Sequence, residues 1–205
     1  LDLVDRFTVS SLVVDGEDTT FVHSSDLIKG DLSSQPRRSG EYSNFTIVYE
    51  GTPNNGLIID ETKFGARCFF SDHWPNRASI WPTSNREGSV TSDTQYAWQA
   101  HHWLATNDHP ADKATVGFQI TAPSHYQTIA TGLLVGKEES GGMTTWSWST
   151  NIPVSTKVIA IGVAEFSVDA DNATYSVPTG SFVYPENEEA GFESYSVVSS
   201  SAPTE

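Results

Sequence analysis

What most constrains this chain is a two-residue alternation of apolar and polar side chains, interrupted at short intervals by turn-forming residues. Side chains repeat with period two on a strand and with period 3.6 on a helix, so the alternation selects β structure. It runs through Leu1, Leu3, Phe7 and Val9 and closes on Asp15-Gly16, a strong hairpin signal. It returns in Tyr42–Tyr49 (YSNFTIVY), Lys113–Thr121 (KATVGFQIT), Tyr126–Val135 and Thr144–Ser149 (TTWSWS), the last placing Trp146 and Trp148 on one face. Val158–Val168 (VIAIGVAEFSV) is the most apolar run and is expected to be a central strand. Thr19–His23, Gly56–Asp60, Arg67–Phe70 and Ser181–Tyr184 supply shorter strands, with GTPNNG at 51–56 and GKEESGG at 136–142 as turns. Acids open the segment ENEEAGFESYSVVSS at 186–200, which suits a helix start, but Gly191 and the β-branched residues weaken that reading. The fold class expected is all-β: an antiparallel β-sandwich or saddle-shaped sheet of roughly ten strands.

Composition then narrows the partners. Twenty-six acids against 11 Lys plus Arg leave a net charge of -15. That field repels polyanions and so disfavours nucleic acid and an anionic membrane surface as partners. A single cysteine, Cys68, rules out an internal disulfide and a finger-type zinc site. No apolar run reaches the ~20 residues a membrane-spanning helix needs. The N-terminus shows neither a basic region nor an apolar leader core, so the expectation is a removed leader or a start partway through a domain. Acidity and scarce cysteine favour an exported protein, periplasmic or extracellular.

Chemistry-bearing residues concentrate in Phe64–Lys113, which holds four of six histidines, four of six tryptophans and the cysteine. His101 and His102 are adjacent, and on a strand would point to opposite faces. A metal set drawn from Asp72, His73, His102 and His109 has no recognised ligand spacing; the plainer reading is loop and strand-end histidines bonded to backbone. No G-x-S-x-G elbow and no phosphate-binding glycine loop occurs, and Cys68 sits in a strand-like run as a buried structural thiol. The catalytic and metal-ligating sets expected for this chain are therefore both empty. Trp74, Trp81, Trp98 and Trp103 fit either a sugar-stacking platform or a set of wedges packing the stretch onto the sheet.

The segments GTPNNGLII, KFGARCFFSDHWPNRA, HHWLATNDHPADKATVGFQITAP and YQTIATGLL resemble the N-terminal domain of the M1 zinc aminopeptidases, in a bacterial subgroup. TTWSWSTNIPVST, IGVAEFSV and SFVYPENEEA are similar to its following strands and exit, so the resemblance spans nearly the whole chain. It implies a β-sandwich over 1–185, with a polar loop inserted at 79–100, and an exit segment at 186–205 leading toward a catalytic domain. The domain would shape the pocket for a peptide's free α-amino group, with Asp72, His73 and Trp74 as substrate-binding residues. A carboxylate facing an α-ammonium makes a charge-assisted hydrogen bond. The family's zinc is held by H-E-x-x-H and a later Glu. No His-Glu dipeptide and no G-x-M-E-N segment occurs here, so the chain itself is expected to hold no cofactor and to have no autonomous activity. The implied partners are the peptide N-terminus and the enzyme's own catalytic domain, where the zinc would sit. The alternative, from a different class, is a stand-alone β-sandwich module binding peptide or glycan through the tryptophan-rich loop.

Overall fold

A computed structural model describes residues 1–34, 36, 38–71, 100–109, 111–171 and 179–200. Its strands are organised by hairpins whose turns hold a left-handed backbone. Strand β1 (Thr8–Val14) returns into β2 (Glu17–Asp18) through Asp15 and Gly16, at φ 50° and 90°. That mirror-image two-residue turn matches the twist of paired strands. A second hairpin joins β3 (Phe21–Ser24) to β4 (Leu27–Gly30) through Ser25 and Asp26, at φ 57° and 58°, with no glycine. The Asp5 carboxylate holds this turn, accepting from the backbone N–H of Ser25 (2.9 Å) and of Asp26 (3.0 Å). Asp26 Oδ1 in return accepts from the N–H of Asp5 at 2.8 Å.

Strands β5 (Phe45–Glu50), β6 (Leu57–Glu61) and β7 (Arg67–Ser71) precede residue 72. After residue 100 come β8 (Lys113–Ala114), β9 (Gly117–Pro123), β10 (Gln127–Ala130), β11 (Leu133–Ser140), β12 (Met143–Ser149) and β13 (Val154–Ser155). The remaining elements are β14 (Ile161–Ala164), β15 (Ser167–Asp171), β16 (Thr179–Val183) and a helix α1 (Glu188–Ser200). Every pairing among them is antiparallel. The larger sheets have the orders β2-β1-β5, β10-β14-β7-β6 and β11-β12-β9.

Two of these sheets face each other across a core. Trp146 (2% exposed), Trp148 and Ala122 from the β11-β12-β9 sheet meet Ala130 and Val163 from the β10-β14-β7-β6 sheet, with Phe69 packed beside them. Trp148 Nε1 donates to Thr128 Oγ1 at 3.0 Å, so its one polar atom is satisfied inside the core. A second cluster gathers Leu3, Val4, Phe7, Ile28, Trp103 and Ile159 under the N-terminal strands. Phe118 and Ile161 pack against both clusters and join them. The expected all-β antiparallel sandwich is the observed architecture.

Boundaries differ where local geometry overrides alternation. The expected strand Tyr126–Val135 is two strands, β10 and β11, because Gly132 turns the chain at φ 112°. A Cβ there would lie 2.4 Å from the Ser149 carbonyl oxygen. The expected turn at 136–142 shrinks to Gly141-Gly142 (φ 60° and 78°), the residues before it continuing β11. Val158–Val168 is interrupted rather than continuous: it ends the 3-10 turn Thr156–Val158, then supplies β14 and the start of β15. Of the strands in this run, β14 is interior, between β10 and β7, and β15 pairs with β16 alone. Acids at Glu188 and Glu189 sit in the first turn of α1, where they oppose the positive end of the helix dipole.

Candidate functional site

The expected substrate contacts Asp72, His73 and Trp74 lie outside the described residues, as do Trp81, Trp98 and 79–99 of the expected insert. The residues on either side of that stretch are described. Before it stands Ser71, the last residue of β7, whose Oγ accepts from the N–H of Ile161 (2.9 Å) and donates to the Ile161 carbonyl (3.3 Å). Ser71 is thereby tied to β14, an interior strand. The chain resumes in a 3-10 turn at Ala100–His102, with Ala100 only 1% exposed. The Ala100 carbonyl accepts from the N–H groups of Trp103 (3.1 Å) and Leu104 (2.8 Å), closing the turn.

This second root is clasped by a buried carboxylate. Asp108, 3% exposed, accepts from His101 Nδ1 at 2.7 Å and from the His101 backbone N–H at 3.1 Å. Burial pushes the Asp108 carboxyl up, but hydrogen bonds from the His101 ring and backbone and from the Thr156 hydroxyl outweigh it and hold it below its ordinary value. The bond to Asp108 raises His101, opposed by burial and aided by the charges of Asp108, Asp2 and Asp26. Both shifts favour the charged forms, an imidazolium on a buried carboxylate. The Asp108 N–H donates to Asp2 Oδ2 at 2.8 Å, and Asp2 and Thr106 exchange backbone bonds of 2.7 and 3.1 Å. The clasp therefore sews the N-terminal residues onto 101–108. Tyr49 adds a stitch from β5, its hydroxyl donating to the Trp103 carbonyl (3.1 Å) and accepting from the Ala105 N–H (3.3 Å).

His101 and His102 occupy a 3-10 turn rather than the strand considered from sequence, and their rings lie on each other, 4.4 Å apart. Burial, then the neighbouring His101 charge, lowers His102. Its Nδ1 is buried with no hydrogen-bond partner. Among the described members of the set considered from sequence, His101 Nδ1 is taken by Asp108, the His102 ring lies 4.4 Å from that of His101, and the His109 ring accepts from the Ala111 N–H at 3.2 Å, while Asp72 and His73 lie outside the described residues. Among the described residues no group of three or more His, Cys, Asp or Glu is arranged to hold a metal. Nor is a nucleophile–base pair present in the clasp. Its chemistry is to fix a backbone position.

Of the four tryptophans considered for a platform, Trp103 is core, 8% exposed and stacked on Phe118 at 6.4 Å and 21°. Cys68 is buried, with the Tyr184 hydroxyl as its neighbour. A cavity of about 530 Å³ beside Trp146, Trp148, Leu134, Val168 and Phe182 is apolar, with no charged side chain in its lining. Sequence reasoning did not find Asp2, Asp108 and Thr156 as partners; the three are far apart along the chain and carry no local spacing signal.

With this geometry in hand, comparison with solved structures decides the fold. An M1 zinc metallopeptidase from Deinococcus radiodurans superposes with a TM-score of 0.65 at 23% identity, over 90% of this chain and 39% of that one. This chain has the fold of part of an M1 zinc metallopeptidase. A substituted two-domain M1 zinc metallopeptidase bound to L-tryptophan gives a TM-score of 0.69 at 21% identity, again over 90% and 39% of the two chains. Legionella pneumophila aminopeptidase A in complex with aspartic acid gives 0.59 at 17% identity, over 92% of this chain and 20% of that one. The chain therefore spans well under half of each M1 neighbour. No family model and no curated protein sequence matches it.

Proposed function

We propose that this chain is the N-terminal β domain of an M1-type zinc aminopeptidase, where it shapes the pocket that receives a peptide's free α-amino group. The observation that carries the reading is the fold match, which covers 90% of this chain but only 39% of the M1 metallopeptidases it superposes on, one of them a two-domain enzyme. A shared fold does not by itself carry function. The segment SDHWPNRA, which itself contains Asp72, His73 and Trp74, and the later segment NDHPADKA add support from sequence. Ser71 and the His101–Asp108 clasp anchor the two ends of that stretch to interior elements. Anchored roots are what a specificity wall requires, since small misplacements of a positioning group are costly to turnover. In this reading Asp72 faces the substrate ammonium, His73 and Trp74 complete the wall, and a catalytic domain elsewhere in the enzyme supplies the zinc and activated water.

The test is a kinetic split in the full-length enzyme. Asp72→Asn removes a charged hydrogen bond worth about 1.5–3 kcal/mol and should raise KM for aminoacyl-anilides about ten- to hundred-fold. Turnover at saturation should change much less, as expected for uniform binding. An unchanged KM in Asp72→Asn and in His73→Ala would remove these residues from the pocket. Glycan or peptide capture by the chain alone, lost with Trp81→Ala or Trp98→Ala, would instead support a stand-alone binding module.

A further inference from the structure

We propose that Asn55-Gly56 is a self-modification site, at which the Gly56 backbone nitrogen attacks the Asn55 side-chain amide and converts it to aspartate and isoaspartate. The pair lies in the turn GTPNNG between β5 and β6. Asn55 is exposed to water, and Gly56, itself buried, adopts φ 71° and adds no side chain beside its nitrogen. The deciding contact is within the pair: the Gly56 N–H donates to Asn55 Oδ1 at 3.0 Å. The facing atom is the oxygen, because the backbone nitrogen can only donate. The contact holds the nitrogen beside the side-chain carbonyl, so that once the N–H proton is lost the attack needs only a rotation of the Asn55 side chain rather than a rearrangement of the turn.

The step balances without any reagent other than water. Gly56 N loses its proton to hydroxide and bonds to Asn55 Cγ; the Cγ–Nδ2 bond breaks and the amide nitrogen leaves as ammonia. Water then adds across one of the two imide C–N bonds. Cleavage at Cγ gives aspartate. Cleavage at the Asn55 main-chain carbonyl gives isoaspartate, with the backbone rerouted through the side chain. Asp15-Gly16 is the internal contrast. There Asp15 Oδ1 accepts from the Asn44 N–H at 2.7 Å and the Asp15 N–H donates to the Asn44 carbonyl at 2.8 Å, which engages the residue across to β5 rather than onto its own glycine.

The position gives the change a consequence. The Leu57 N–H donates to the Asn55 carbonyl at 2.8 Å, and Leu57 pairs with Ser71, the terminal pair of the β6–β7 ladder. Isoaspartate inserts a methylene into the main chain just before that pair and adds a negative charge. It should fray the ladder at the strand end from which residue 72 departs.

The experiment ages the intact folded chain at mildly alkaline pH beside the same chain held unfolded in guanidinium, then maps both by electron-transfer mass spectrometry. The expected result is replacement of amide by hydroxyl at Asn55 in the folded chain at least as fast as in the unfolded one. Isoaspartate should dominate and Asp15 should remain unchanged; Asn55→Gln should give no product. Hydrogen exchange at Leu57 should then be faster in the aged chain. Conversion slower in the folded than in the unfolded chain, or absent from it, overturns the proposal. Unchanged exchange at Leu57 after full conversion overturns the link to the β7 end.

Discussion

Replacing Asp108 with Ala removes the acceptor of three hydrogen bonds at once, from the His101 ring (2.7 Å), the His101 N–H (3.1 Å) and the Thr156 hydroxyl. Breaking a buried ion pair from one side costs about 3–5 kcal/mol, because the surviving charge keeps its desolvation cost without its partner. In a domain of this size each kcal/mol moves Tm by about 2–4 °C, so the drop should be about 6–20 °C. The loss should also depend on pH. The folded pKa of His101 is raised above its ordinary 6.5, so its contribution is complete below that value and fades as pH rises through the raised one. The folded pKa of Asp108 is depressed below 3.8, so its contribution is complete above 3.8 and fades as pH falls through the depressed one. The pair therefore stabilises most between 3.8 and 6.5. Urea unfolding of wild type, Asp108→Ala, His101→Gln and the double variant, followed by tryptophan fluorescence at about pH 5 and about pH 9, measures it. The coupling energy should be large at the lower pH and smaller at the higher. A penalty below about 1 kcal/mol, or a coupling equal at both pH values, would refute the clasp.

Two further stability outcomes follow from single contacts. Trp148→Phe replaces the indole with a smaller ring and removes the donor that Thr128 Oγ1 accepts from at 3.0 Å; guanidinium midpoints should report a loss of at least about 1–3 kcal/mol, of which adding Thr128→Val recovers only the hydroxyl's share. Asp5→Ala leaves the Ser25 and Asp26 N–H groups to water in a left-handed turn, and thermal unfolding should show about 1–2 kcal/mol lost, part of it regained with Ser25→Gly.

How far the sequence revealed this molecule can be argued residue by residue. Alternation read strand faces well: Trp146 and Trp148 are both buried on the inner face of β12, as their spacing required. Asp15-Gly16 announced its hairpin because glycine carries a left-handed backbone cheaply. Ser25-Asp26 did not, because the same conformation is held there by Asp5, some twenty residues earlier in the chain. Gly132 turns the chain between β10 and β11 beside the Ser149 carbonyl, which leaves no room for a Cβ and lies outside any local window. The clasp was hidden for the same reason, Asp2 and Asp108 being joined only by the fold. The stretch bearing Asp72, His73 and Trp74 was legible as a motif, and the structure describes its anchors at Ser71 and Ala100.

The most direct test of the account is the protein sequence encoded in the same reading frame downstream of Glu205. A chain that supplies the substrate wall of an M1-type aminopeptidase must be joined to the residues that hold the metal. The account predicts a continuation carrying H-E-x-x-H, a later Glu ligand and a G-x-M-E-N segment before them. A frame that ends without a zinc-binding motif, or continues into an unrelated domain, would contradict it.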